Sequence, residues 1–154
     1  REYWLTFADR AVANGAPLDG HPHLMRAMFQ QPGVEPVRPE ALALVGECKA
    51  AGRSLGILTN ELVDFQGREW VESQSWFTDF PVLVDSSELA IRKPDPRPYL
   101  LAAELLGLPC EDIVFIDDTP SYVAGGEAVG MRSILLEVLD PAAAFDQARI
   151  ELGL

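Results

Sequence analysis

Residues 113–120 read IVFIDDTP, an apolar run followed at once by two aspartates and a Thr-Pro pair. The apolar run at 113–116 predicts a short buried strand, and the Thr-Pro pair is typical of the start of a helix. Two adjacent carboxylates at the end of a buried strand cost free energy unless a cation or hydrogen-bond donors compensate them. Asp117 and Asp118 are therefore candidate metal ligands; Asp118 could merely serve the dipole of the following helix, but two adjacent acids exceed what capping needs.

Other apolar runs along the chain predict three more short strands, and helix patterns separate them. Short, fully apolar strands that alternate with helices are typical of an α/β fold, a doubly wound parallel sheet with helices on both faces. The additional strands are predicted at 55–58, 82–84 and 133–136, and the helices at 39–51, 68–76, 95–107 and 119–130.

The first 34 residues have a different pattern, two helices separated by a Gly/Pro-rich break at 14–20. A Pro-rich hinge follows them, so we predict a helical subregion at residues 1–34 and an α/β core at 35–154. The chain opens at Arg1 within a helix pattern that has no preceding cap, and we expect further sequence upstream of it.

Composition excludes several classes of protein. The chain has 154 residues, 12 of them basic and 24 acidic, for a net charge of −12, and 48% are hydrophobic. A chain this acidic is repelled by nucleic acid and by anionic membrane surfaces. No apolar run reaches the roughly 18 residues needed to cross a bilayer. Cys48 and Cys110 form neither a CxxC pair nor a zinc pattern, so we predict a reducing, cytoplasmic location.

Polar residues with complementary chemistry follow three of the predicted strands. Thr59 and Asn60 end one strand, Lys93 lies in the loop after another, and Asp117 and Asp118 end a third. Ligands of open α/β sheets bind beyond the carboxyl ends of the strands, where these residues converge. Taken singly, the first two could merely turn the chain and the lysine could be a solvated surface charge. Together, a hydroxyl, a lysine and Mg²⁺-binding acids suit a developing phosphoryl charge.

The motifs that carry these residues resemble those of a known family. LGILTN at 55–60, KPDP at 93–96, and VFIDD at 114–118 followed by AVGM at 128–131 look like motifs two, three and four of the haloacid dehalogenase-like (HAD) hydrolases. The resemblance is strongest to the branch with a small helical cap and spans about residues 38–136. It implies a Rossmann-like core and makes residues 1–34 the remainder of the cap.

The resemblance also implies a role for each site residue. Thr59 would bind a phosphoryl oxygen of the substrate, with Asn60 beside it. Lys93 would steady the nucleophile and the phosphoryl charge. Asp117 and Asp118 would hold Mg²⁺, the second more directly.

The chain departs from the family pattern in two places. The first motif of the family is a strand followed by DxD, whose first aspartate is the nucleophile, and here no two aspartates are separated by a single residue. In the family this strand lies between the strands that here end in Thr59 and Asp118, so its absence is expected to leave two buried, unpaired edges. Tyr122 stands where relatives usually carry an asparagine or an acid, which weakens the metal assignment.

Three explanations for the absent motif remain open, and we favour the first. The chain could be a truncated piece of a normal hydrolase, it could receive the strand from another chain, for example in a homo-oligomer, or it could be a non-catalytic descendant that binds or serves as a scaffold. The function predicted is that of a Mg²⁺-dependent phosphatase acting on a small phosphate monoester through an aspartyl-phosphate, with the 154-residue chain inactive alone. A haloacid dehalogenase is a further alternative, disfavoured because removal of halide needs no metal.

Overall fold

The computed structural model describes residues 2–30, 33 and 35–154 of the chain. Nine α-helices and four short β-strands lie within these residues, with two additional 3₁₀ helices at Ser75–Asp79 and Cys110–Asp112. The helices are Glu2–Ala13 (α1), Gly20–Phe29 (α2), Pro39–Ala50 (α3), Leu62–Gln66 (α4), Arg68–Ser73 (α5), Ser86–Leu89 (α6), Pro96–Leu106 (α7), Pro120–Ala128 (α8) and Ala142–Leu152 (α9). The strands are Gly56–Thr59 (β1), Val82–Asp85 (β2), Val114–Asp117 (β3) and Arg132–Leu135 (β4).

The strands form two parallel pairs. β1 pairs with β2 so that Thr59 lies opposite Asp85, and β3 pairs with β4 so that Asp117 lies opposite Leu135. Within the described residues no ladder of hydrogen bonds joins the two pairs. The predicted parallel α/β fold is confirmed. The division into two pairs falls between β1 and β3, the position that the resemblance assigns to a further strand.

Side chains of β3 alternate between two apolar layers, as expected for a strand covered on both faces. Val114 and Ile116 pack on the cluster formed by α3, α9 and β4, whereas Phe115 packs on the opposite face against Tyr99 and Ala103 of α7. Helices on both faces of a parallel sheet are the doubly wound arrangement that the sequence predicts.

Helix α7 connects the two strand pairs on one face. Leu58 of β1 packs both with the cluster around Tyr99 and Phe115 and with the cluster around Val84 and Ala102. The first cluster belongs to the β3–β4 pair and the second to the β1–β2 pair. The division between the pairs is therefore spanned by side-chain packing rather than by backbone hydrogen bonds.

Two glycines let helix α8 pack closely on its neighbours. A Cβ at Gly125 would lie 2.6 Å from the hydroxyl oxygen of Tyr99, and one at Gly126 would lie 2.5 Å from the Ser133 hydroxyl oxygen and 2.9 Å from the Phe115 ring. Neither position tolerates a side chain without movement of these neighbours. The Gly-Gly pair is therefore a close-packing feature of α8.

Helices α1 and α2 form a separate layer at the amino-terminal side. Ala8, Leu24 and Met25 make its buried core, and Phe65 of α4 packs against them. The predicted boundary at residue 34 falls on a residue outside those the structure describes, so the division at this point stays a prediction.

One helix prediction was wrong in its extent. The pattern around 68–76 predicts a single helix, but α5 ends at Ser73 because Gln74 is extended, with φ −75° and ψ 131°. A 3₁₀ helix, Ser75–Asp79, follows it. Among the described residues, no helix has the length and apolar character needed to span a membrane.

Candidate active site

All five predicted site residues line one cleft at the carboxyl ends of β1 and β3. The cleft has a volume of about 520 Å³. Strand ends place Thr59, Asp117 and Asp118, and the loop that leads into α7 places Lys93. Parallel strands with crossover connections bring these loops to the same edge, which is why residues distant in sequence meet here. The members of the set are Thr59, Asn60, Lys93, Asp117 and Asp118.

Lys93 is buried and joins the two strand pairs. Its Nζ donates to the carbonyl oxygen of Leu58 at 2.9 Å and lies 2.5 Å from Oδ2 of Asp117. The side chains of the ion pair are only 5% and 11% exposed. A buried ammonium needs both a counter-charge and hydrogen-bond acceptors. Here β3 supplies the counter-charge through Asp117, and β1 supplies an acceptor through the carbonyl oxygen of Leu58.

Two aromatic rings complete the surroundings of the ammonium. The Nζ of Lys93 lies 5.3 Å from the centroid of the Phe115 ring and 4.9 Å from that of Tyr122. Both distances are within the range of a cation–π interaction. Sequence reasoning regarded Tyr122 only as a departure from the family pattern, and no sequence signal pairs it with the lysine.

Tyr99 contacts both of the residues whose rings surround the ammonium. Its hydroxyl donates to the backbone carbonyl of Tyr122 at 2.7 Å, and its ring packs edge-on against Phe115. Burial raises the pKa of Tyr99 to about 12, with a further contribution from the negative charge of Asp117. The phenol therefore remains a hydrogen-bond donor throughout the neutral range.

Asn60 holds the backbone of Lys93 at two points. Its Oδ1 accepts from the Lys93 backbone N–H at 2.9 Å, and its Nδ2 donates to the Lys93 carbonyl oxygen at 3.2 Å. Arg92 adds a bond to the Asn60 carbonyl oxygen at 3.3 Å and pairs with Glu61 at 2.9 Å. The amide thus fixes the loop that carries the lysine, and a direct role in substrate binding stays a prediction.

Thr59 presents its hydroxyl to the cleft. The oxygen accepts a long bond, 3.5 Å, from the backbone N–H of Glu61, which leaves the hydroxyl proton able to donate elsewhere.

The two adjacent aspartates differ in what they can offer a metal ion. Asp117 accepts from Lys93 at Oδ2 and from the Thr119 backbone N–H, 2.9 Å away, at Oδ1. Asp118 is exposed, and the Thr119 hydroxyl lies 3.3 Å from its Oδ1. The carboxylate at 118 is therefore the more available of the two.

The donor set fits Mg²⁺ in part. Mg²⁺ binds one or two carboxylates and completes its shell with water and phosphate oxygens. Within the part of the chain that the structure describes, no group of three or more His, Cys, Asp or Glu side chains could hold a metal. Asp118 can supply a ligand, while the remaining oxygens have to come from groups other than these side chains.

Asp85 is a buried acid that sequence reasoning missed. It is 2% exposed, and its Oδ2 accepts from the Val63 backbone N–H at 2.7 Å. Its Oδ1 accepts from both the backbone N–H and the hydroxyl of Ser87, at 2.8 and 2.6 Å. One carboxylate therefore caps the helices that follow β1 and β2. An acid directly after an apolar run and before two serines is a capping signal that could have identified it.

The chain matches the model of the haloacid dehalogenase-like hydrolases over residues 3–130, and it belongs to this family. Phosphoserine phosphatase of Thermus thermophilus is 32% identical over 126 residues, which are 81% of this chain and 50% of that protein. Phosphoglycolate phosphatase of Rhodospirillum rubrum is 32% identical over 100 residues, 65% of this chain and 41% of the relative. The chain thus spans half the length, or less, of these two relatives.

Solved structures agree on the fold. The HAD phosphatase from Thermococcus onnurineus superposes with a TM-score of 0.65 at 23% identity, covering 76% of this chain and 58% of that one. A protein from Corynebacterium glutamicum also gives a TM-score of 0.65 at 23% identity, covering 80% of this chain and 90% of the other. The match to the family model confirms the membership expected from the motif resemblance.

Proposed function

We propose that this chain belongs to a Mg²⁺-dependent phosphatase that acts on a small phosphate monoester. The observation that carries the proposal is the position of Lys93, which bridges the Leu58 carbonyl oxygen and the Asp117 carboxylate in the cleft that Thr59 and Asp118 also line. The relatives compared above are phosphatases by name, which supports the same chemistry. The cytoplasmic location stays a prediction from composition.

The residues of this chain would bind and orient the phosphoryl group. Thr59 can donate its hydroxyl proton to a phosphoryl oxygen. An ammonium has three donors, of which the described hydrogen bonds of Lys93 use two, so one remains for an acceptor in the cleft. Mg²⁺, held in part by Asp118, would neutralise charge on the phosphoryl oxygens.

The nucleophile would come from a strand that lies between β1 and β3. Thr59 and Asp117 end these two strands, and in the described residues neither strand pairs with another on the side that faces the other strand. In the reaction that the resemblance implies, an aspartate oxygen of this strand attacks phosphorus, the ester P–O bond breaks, and the alcohol leaves with a proton from the second aspartate of DxD. Water then hydrolyses the aspartyl-phosphate.

Reconstitution of the site tests the proposal. The pure 154-residue chain should not hydrolyse 4-nitrophenyl phosphate in the presence of Mg²⁺. Addition of a synthetic peptide with an apolar strand that ends in Asp-x-Asp should restore hydrolysis, and a matched peptide with asparagine as the first acid should not. Turnover by the chain alone, no turnover with the first peptide, or equal turnover with both peptides contradicts the proposal.

A further inference from the structure

We infer that the cleft selects phosphate monoesters whose alcohol part is neutral, flat and apolar, and disfavours those whose alcohol part carries a carboxylate. This inference rests on the proposed phosphatase function and concerns the wall of the cleft away from the strand ends. Four helix-borne aromatic side chains form that wall, which we call the aromatic wall: Phe29, Phe65, Trp70 and Trp76.

The aromatic wall is built from elements that pack on one another. Phe65 packs against the buried core of α1 and α2, and the Trp76 ring meets the rings of Phe77 and Phe80 edge-on at 6.2 and 6.4 Å. Phe29 remains 48% exposed although it lines the cleft. A flat apolar group placed against this wall removes aromatic surface from water, which favours binding in proportion to the area covered.

Charge along the cleft disfavours a second anionic group on the ligand. The described lining residues include a single base, Lys93, which is already paired with Asp117, and three acids, Glu61, Asp117 and Asp118, of which Glu61 pairs with Arg92. A carboxylate on the alcohol part therefore finds no unpaired cation among the described lining residues, so it would give up hydration without gaining a counter-charge.

Along the aromatic wall, polar partners for a hydroxylated alcohol part are also few. Gln66 lines the cleft, but its side-chain and backbone oxygens both accept from Nε2 of Gln30, at 2.9 and 2.8 Å. Its oxygens are thus already engaged at the border of the aromatic wall. A ligand with several hydroxyl groups loses hydrogen bonds to water that this wall does not replace.

Calorimetric titration of the 154-residue chain in Mg²⁺ tests the inference with three probes: inorganic phosphate, phenyl phosphate and 2-phosphoglycolate. Phenyl phosphate should bind at least about tenfold more tightly than inorganic phosphate, and 2-phosphoglycolate no more tightly than inorganic phosphate. Trp70→Ala should bring the affinity ratio of phenyl phosphate to inorganic phosphate toward 1, whereas Trp70→Phe should keep most of it. Circular dichroism checks that each variant is folded.

The outcomes separate the inference from the function beneath it. Tighter binding of 2-phosphoglycolate than of phenyl phosphate, or equal binding of phenyl phosphate and inorganic phosphate, overturns the inference and leaves the phosphatase proposal standing. If none of the three phosphates binds, or if Lys93→Met leaves their binding unchanged, the proposed function is overturned as well.

Discussion

The ammonium of Lys93 and the carboxylate of Asp117 form a buried ion pair, 2.5 Å between Nζ and Oδ2, that joins two strand pairs with no backbone hydrogen bonds between them in the described residues. The lysine also affects which of the two adjacent acids can bind other ligands. Because Asp117 is satisfied by Lys93 and Thr119, Asp118 is left as the carboxylate available to other ligands.

Lys93→Met should destabilise the chain by about 2–4 kcal/mol, because it leaves the buried Asp117 carboxylate without a counter-charge. The double variant Lys93→Met/Asp117→Asn should recover at least half of that loss, since the neutral amide no longer needs one. Urea denaturation at pH 7 measures both changes.

A surface ion pair provides the control for this experiment. Lys49 pairs with Asp79 but is 52% exposed on its side chain. Lys49→Met should therefore change the free energy of unfolding by less than about 1 kcal/mol. If Lys93→Met and Lys49→Met lowered the free energy of unfolding equally, the buried pair would contribute no more to stability than the surface pair.

Tyr122→Leu should lower the free energy of unfolding by about 0.5–2 kcal/mol. The substitution removes the ring that lies 4.9 Å from the Lys93 ammonium but keeps an apolar side chain. Tyr122→Phe retains the ring and should stay close to the parent chain. The bond from the Tyr99 hydroxyl goes to the backbone of residue 122 and is preserved in both variants. Thermal and urea unfolding give the comparison, and equal losses for leucine and phenylalanine would rule out the cation–π interpretation.

Gly125→Ala should destabilise the chain by about 1–3 kcal/mol, even though alanine is the better helix former. The reason is the 2.6 Å approach of the new Cβ to the Tyr99 hydroxyl oxygen, together with a 3.1 Å approach to Pro94.

Gly46 in α3 offers a matched comparison, since a Cβ there meets nothing within 4 Å. Gly46→Ala should stabilise the chain by about 0.5–1 kcal/mol through helix propensity. Opposite signs for the two substitutions in urea denaturation are the expected result. A gain in stability for Gly125→Ala would mean that α8 is not held as closely as the structure has it.

Asp95 should contribute to the fall in the free energy of unfolding as the pH is lowered through the acid range. The side chain of Arg97 and then its backbone N–H hold the pKa of Asp95 at about 2, below its ordinary value of 3.8. Because the folded-state pKa is lowered, the stabilisation is complete above about pH 4 and is lost as the pH falls toward 2.

Asp95→Asn isolates that contribution, because asparagine keeps an acceptor for the helix cap but does not titrate. The difference in unfolding free energy between the parent chain and this variant should shrink as the pH is lowered from about 5 to 2. Denaturation with urea across this range measures it, and 1 M NaCl should reduce the difference because the Asp95–Arg97 pair is solvent-exposed. A difference independent of pH would contradict the lowered pKa.

Local patterns in the sequence were enough to predict most elements of the fold. Apolar runs predict the four strands within one or two residues, and the Asp95-Pro96 start and Gly107 stop of α7 follow from capping chemistry. Between 68 and 76 the pattern failed, because the backbone at Gln74 turns to an extended conformation that the helical spacing does not indicate.

The sequence by itself determined the α/β class, the family and the set of polar residues at the strand ends. Apolar runs, helix caps and short motifs each depend on residues that are close together in the sequence. Only the tertiary structure decided which ion pairs, ring contacts and helix caps those residues make. The engagement of Asp117 by Lys93, the ring of Tyr122 beside the ammonium and the capping of α4 by Asp85 each join residues about 20 to 30 positions apart. Contacts at such separations depend on how the elements pack, which no local pattern encodes.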